Sequence, residues 1–132
     1  MRLKTEIIVA AELKRAQSLG LFATIVHRGD GNAGQIYIIL NKNNREFILI
    51  GPPFGASIDD DGRKLWYFPL GEAPAQQSVL DEYLNKIQKF DRDIYILEIE
   101  DKALEYRPAG VFPPREDPDV LAMKQQAEDL FK

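Results

Sequence analysis

Apolar positions recur along the chain at two periods, and each period predicts an element. The first segment carries both, since Leu3, Thr5, Ile7 and Val9 alternate as in a strand while Val9, Leu13 and Ala16 recur at helical spacing. The helix is the better reading: Thr5 can cap it, Glu6 suits its positive end, the alanines favour it, and Gly20 supplies a left-handed stop after Leu19. Leu21 to Arg28 is short, β-branched and aromatic, which predicts a strand closed by the glycine-rich turn Gly29 to Gly34. Ile36 to Leu40 and Phe47 to Ile50 predict two more strands, joined by the polar turn Asn41 to Arg45. Short turns between them imply an antiparallel meander.

After the loop Pro52 to Gly62, Arg63 to Phe68 reads as a fourth strand, with Trp66 and Phe68 on one face, Leu65 and Tyr67 on the other, and Pro69 as its end. From Gln77 the pattern turns helical through Leu80, Tyr83, Leu84 and Ile87, and Ser78 with Asp81 resembles a capping box. Ile94 to Ile99 is an apolar run that predicts a strand inside the sheet. Beyond Asp101, four prolines (Pro108, Pro113, Pro114 and Pro118) mark an extended connection. A last helix is expected from Pro118, capped by Asp117, with Val120, Met123, Ala127, Leu130 and Phe131 as a narrow apolar stripe. The expected fold is therefore α+β: an antiparallel sheet of four to five strands with helices packed on it, in the order helix, four strands, helix, strand, plus a C-terminal helix. Its expected divisions are a compact domain over 1–101, a Pro-rich linker over 102–116 and an amphipathic helix over 117–132.

Composition changes this picture mainly by exclusion. A chain of 132 residues with 45% apolar and 29% charged side chains suits one ordered domain. It contains no cysteine, so disulfides, thiolate metal sites and a cysteine nucleophile are ruled out. The apolar stretch Ile7 to Ala11 is too short for a signal sequence and no run approaches membrane-spanning length, so the cytoplasm is the expected address. A net charge of −4, from 17 basic and 21 acidic side chains, makes nucleic acid and anionic membranes unexpected partners.

Several motifs carry less chemistry than their letters suggest. Gly29-x-Gly31-x-x-Gly34 spells a dinucleotide fingerprint, but a helix must begin there for its amides to meet a pyrophosphate, and the next segment is β-forming. A hairpin needing positive φ is the expected role of these glycines. Arg28-Gly29-Asp30 matches an extracellular adhesion tripeptide in a chain with no export signal. Its expected use is local, with Asp30 accepting turn amides and Arg28 pairing across the sheet. His27 is the single histidine and reads as structural. Asp59-Asp60-Asp61-Gly62 lacks the ligand spacing of a calcium loop and reads as a turn.

Two groups of residues remain as candidates. Glu98 and Glu100 are two apart on a strand and share a face; with Asp91 or Asp93 nearby they would hold magnesium or manganese, and Lys102 would stabilise charge in phosphoester hydrolysis. No cofactor is expected outside that alternative. Tyr37, Trp66, Tyr67, Phe68 and Tyr95 form an aromatic row on adjacent strands whose expected role is core packing; a platform for stacking bases or a partner is the alternative, and under it Trp66 and Tyr95 join Arg28 and Asp30 as binding candidates.

The opening Arg2-Leu3-Lys4, the turn Arg28-Gly29-Asp30 with Ala33-Gly34, the pair Gly51-Pro52, and the ending Phe90-Asp91-x-Asp93-Ile94-Tyr95 through Glu98-x-Glu100-Asp101 together resemble a family of small alphaproteobacterial proteins, domain of unknown function fourteen-ninety-one. The resemblance implies a compact bacterial α+β fold and brings no activity or catalytic residue. Lys102 to Lys132 lies outside it. The function expected from the residues is a non-enzymatic interaction or regulatory module that engages a protein or a second copy of itself. The metal-dependent hydrolase is one alternative. A small-molecule binder with its pocket near Gly51 to Gly55 and the aromatic row is the other.

Overall fold

The computed structural model describes residues 3–53 and 58–112. Helix α1 spans Thr5–Ser18 and buries Thr5, Val9, Glu12 and Ala16, a stripe at helical spacing. Gly20, at φ +79°, turns the chain out of it, as its missing Cβ allows. Thr5 does not cap the helix. It is the first helical residue, and its hydroxyl donates to the Gly34 carbonyl at 2.8 Å. The free amides of Thr5 and Glu6 are taken instead by the carbonyls of Asn32 and Gly31, so the glycine-rich turn caps α1 with backbone.

Strands β1 (Phe22–His27), β2 (Ile36–Asn41), β3 (Glu46–Ile50), β4 (Ala75–Gln76) and β5 (Tyr95–Glu100) form one sheet in the order β1-β5-β2-β3-β4, with helix α2 (Gln77–Phe90) between β4 and β5. The α+β class and the element order agree with the sequence reading, but the meander does not. β5 inserts between β1 and β2, antiparallel to the first and parallel to the second, so the sheet is mixed. Burial explains the rearrangement. β2 is buried at every position and β5 at all but Glu98 and Glu100, which suits central strands, whereas β1 alternates between exposed and half-buried and takes an edge.

Arg63 to Phe68 is not a strand of this sheet. Its backbone pairs piecemeal, Lys64 with Ile58, Leu65 with Val111 and Tyr67 with Gly51, because each neighbour is too short or too irregular to continue a ladder. The fourth strand is the two-residue β4. Nor do Ser78 and Asp81 form a capping box: α2 starts one residue earlier, at Gln77, without a side-chain cap.

The two sheet faces carry separate cores. On the α1 face, Ile38, Leu40, Ile48, Ile50, Leu97 and Ile99 pack with Val9, Ala16 and Trp66. On the other, Tyr37, Ile39, Leu49 and Ile96 pack against Leu80 and Leu84 of α2. The α1 face gains a further layer from residues 101–112, which lie on the body rather than forming the free connection that the prolines suggested. The buried Asp101 carboxylate accepts the amides of Ala103, Glu105 and Tyr106 at 2.8 to 3.1 Å, turning the chain back. Val111 then bonds to Lys64 and Trp66, and Phe112 stacks on Phe68 with centroids 5.0 Å apart. Leu104, Tyr106 and Phe112 supply the apolar area that makes this docking favourable. The rest of the expected linker and the helix over 117–132 lie outside the described residues. Among those described, no helix is long and apolar enough to cross a membrane.

Candidate functional site

The glycine-rich turn is built for close approach. It carries the chain from β1 over the end of β5 to β2, so it is no hairpin. A Cβ on Gly29 or Gly34 would collide with the Asp93 carbonyl, while φ at these glycines stays outside the left-handed region. Asp30 accepts the Asn32 amide at 3.0 Å and donates its own amide to Asp93, as a turn residue does. Arg28 is exposed and makes no ion pair among the described residues. His27 donates through Nδ1 to the Ile94 carbonyl at 2.8 Å, beside a bulge between Ile25 and His27. Asp59 binds the amides of Asp61 and Arg63 and the Arg63 guanidinium, which makes the acidic run a turn.

The aromatic row divides between the two cores. Trp66 is fully buried on the α1 face, where its indole donates to the Ala109 carbonyl at 3.0 Å. Tyr95 is buried on the same face. Tyr37 lies beneath α2, with its ring where a Cβ on Gly51 would stand, and burial raises its hydroxyl to about 12. Neither Trp66 nor Tyr95 can therefore receive a ligand at the surface, and the described part of Gly51 to Gly55 is filled by that ring.

The acidic strand end keeps its predicted geometry. Glu98 pairs with Thr24 and Glu100 with Phe22, so both carboxylates share the α2 face of the sheet with those residues. Burial, and then the charge of Glu100, raises the Glu98 carboxyl above its ordinary 4.5. Asp91 and Asp93 precede the other end of β5, where the Asp93 amide binds the Asp91 carboxylate. Among the described residues no three acidic or histidine side chains are grouped to hold a metal. Lys102 is exposed and lines, with Glu100 and Phe22, a shallow cleft at the strand ends.

α2 packs on β3 and β4 and reaches the start of β5, and among the described residues no other element covers the β1 side of this face. Phe22 is 67% exposed there, Val26 of the same strand 56%, and Phe90, ending α2, 84%. On the α1 face, by contrast, lies a groove of about 480 Å³ between the first turns of α1, the turn at 32–35 and the loop at 58–64. Leu3, Ile7, Ile8 and Ile58 give it an apolar lining. Its polar wall is engaged internally: the Thr5 hydroxyl holds Gly34, and the buried Glu12 carboxylate accepts the Tyr106 hydroxyl and, at 2.9 Å, the Ala109 amide. Burial and the Glu12 carboxylate push the Tyr106 hydroxyl above its usual range. Glu12 falls between Val9 and Ala16 on the buried stripe of α1, and a carboxylate at that spacing was the sequence signal for this clasp.

These features define a small α+β domain with a mixed sheet, one face sealed and the other half open. The model of the family described as "Protein of unknown function (DUF1491)" matches residues 3–107, and the chain belongs to that family. A crystal structure of a DUF1491 family protein from Caulobacter crescentus is similar at 29% identity and a TM-score of 0.62, over 77% of this chain and 89% of that one. An NMR structure of a DUF1491 family protein from the same organism gives 28% and 0.68, over 86% and 99%. The solution structure of protein Atu0922 from A. tumefaciens gives 25% and 0.67, over 88% and 100%. No curated protein matches. The family and these structures bring no assigned activity.

Proposed function

We propose that this domain is a non-enzymatic interaction module and that its contact surface is the open half of the α2 face. One observation carries the reading: a six-residue edge strand without charge or proline exposes Phe22 and Val26 beside a sheet face that no helix covers among the described residues. Edge strands are ordinarily protected by lysine, proline or a covering segment, and exposed apolar patches mark contact sites. The bulge near Val26 blunts one end of the edge but leaves Phe22 and Thr24 in register with β5. The groove beside α1 is the weaker candidate, since Thr5 and Glu12 are turned to internal partners.

The test compares the full chain with its Phe22→Ser, Val26→Ser variant in pull-down and sedimentation experiments, after circular dichroism shows that both are folded. The reading requires a partner, or a self-associated state, that the parent retains and the variant loses. Identical partners and identical sedimentation would refute it. The same-face pair Glu98 and Glu100 supports a second reading, a magnesium- or manganese-dependent phosphoester hydrolase. Millimolar metal would then raise the thermal midpoint of the parent, but not of Glu98→Gln, because a ligand bound by the native state stabilises it.

A further inference from the structure

The open face has the dimensions of a specific occupant. Five strands about 4.8 Å apart give a sheet roughly 19 Å across, which takes two helices of about 10 Å side by side. α2 covers the β3 and β4 side, and among the described residues this leaves a slot one helix wide over β5 and β1. Its floor carries Phe22 and Thr24 from β1, and Glu98 and Glu100 from β5. Neither carboxylate has an ion pair among the described residues, although Glu98 is half-buried. We propose that the slot receives one amphipathic α-helix of another protein, its apolar stripe over Phe22 and Thr24 and two basic residues over Glu98 and Glu100. The two glutamates, two positions apart on a strand, stand about 6.6 Å apart at Cα, close to the spacing of residues i and i+4 on a helix.

Charge argues against the occupants nearest to hand. A second copy docking by the same face would bring four unpaired carboxylates together, and the whole chain already carries −4. The chain's own segment 113–132 has three basic residues (Arg115, Lys124, Lys132) against five acidic ones (Glu116, Asp117, Asp119, Glu128, Asp129), a net −2. That segment also departs from the other side of the body. Phe112 is packed on the α1 face against Phe68, just beyond Tyr67 and its pairing with Gly51. The slot is about three strand spacings away, roughly 14 Å sideways, and on the opposite face, two layers of about 10 Å through the body.

The inference rests on the interaction-surface reading, and its test keeps the two apart. Two synthetic amphipathic helices with one leucine stripe, one flanked by lysines and the other by glutamates, are titrated into the isotope-labelled full chain while backbone amide shifts are followed. The lysine helix should perturb the amides of Phe22 to Val26 and of Glu98 to Glu100 and bind at least about tenfold tighter than the glutamate helix. The Glu98→Gln, Glu100→Gln variant should abolish that preference, and Phe22→Ser should weaken binding of both. Equal binding of the two helices at this face, lost with Phe22→Ser, keeps the contact surface and overturns the basic helix. Shifts elsewhere overturn both ideas. Concentration-dependent shifts at these amides without peptide, whether they persist or vanish on deletion of 113–132, assign the slot to a second copy and overturn the proposal.

Discussion

On the α1 side three stretches far apart in sequence close the sheet: α1 itself, residues 63–68, and the strap from Asp101 to Phe112 that Glu12 and Trp66 hold in place. On the α2 side, among the described residues, one helix does the work and stops short of β1. The sealed face combines long-range packing with hydrogen bonds that leave no buried side-chain polar atom unpartnered among the described residues. The open face presents Phe22 and Val26, and two carboxylates with no ion pair among the described residues, to water. Stability should therefore concentrate on one side of the sheet and recognition on the other.

The largest expected effect tests that division directly. Trp66→Ala removes a fully buried indole and its bond to Ala109, and should cost about 3–5 kcal/mol in urea unfolding. Phe22→Ser, on the open face, should stay within about 0.5 kcal/mol of the parent. Similar losses for the two would break the comparison.

A smaller effect sharpens it by separating the strap from the core beneath. Glu12→Ala leaves the Ala109 amide without its acceptor and the Tyr106 hydroxyl with only the Glu12 main-chain carbonyl at 3.2 Å, an expected cost of about 1–3 kcal/mol. Because Trp66 is the only tryptophan and binds the strap, its fluorescence should shift to the red in this variant at concentrations of urea where the parent is unchanged. An unshifted spectrum and an unchanged midpoint would show that the strap is held by packing alone.

How much of this was legible in the sequence depended on how local the cause is. The helices were, because α1 and α2 carry their buried residues at i, i+3 and i+4, and Gly20 announces a left-handed stop. So was the shared face of Glu98 and Glu100, which follows from strand alternation alone. Strand order was not, since the chain sequence favours neighbours, and only the burial of β2 and β5 on both faces hints that they belong together. Glu12 was overlooked because a carboxylate on an apolar stripe has meaning only once Tyr106 and Ala109, more than ninety residues on, return to it. Trp66 and Tyr95 pack in the core, as expected of the row, but the sequence left a binding role open for a related reason: an aromatic row looks alike whether its faces are covered or bare, and here the cover on the α1 side comes from a proline-bearing stretch that reads as a tether.

The smallest effect concerns the acidic pair and carries a sign. Because the Glu98 carboxyl titrates above its ordinary 4.5 in the folded chain, the folded state binds this proton more tightly than the unfolded one. Its contribution is most favourable below pH 4.5 and declines as the pH rises through that value to the folded one, then stays flat. Glu98→Gln should therefore raise the thermal midpoint at pH 7 and leave it unchanged near pH 3.5, with Glu100→Gln acting in the same direction by removing the neighbouring charge. Solvent screening at this half-open position limits the gain to roughly 0.5 kcal/mol, about 2 °C for a domain of this size. A midpoint that falls at pH 7 would mean that the carboxylate is stabilising the fold through a contact of its own, and the open face would then be a structural surface rather than one kept for a partner.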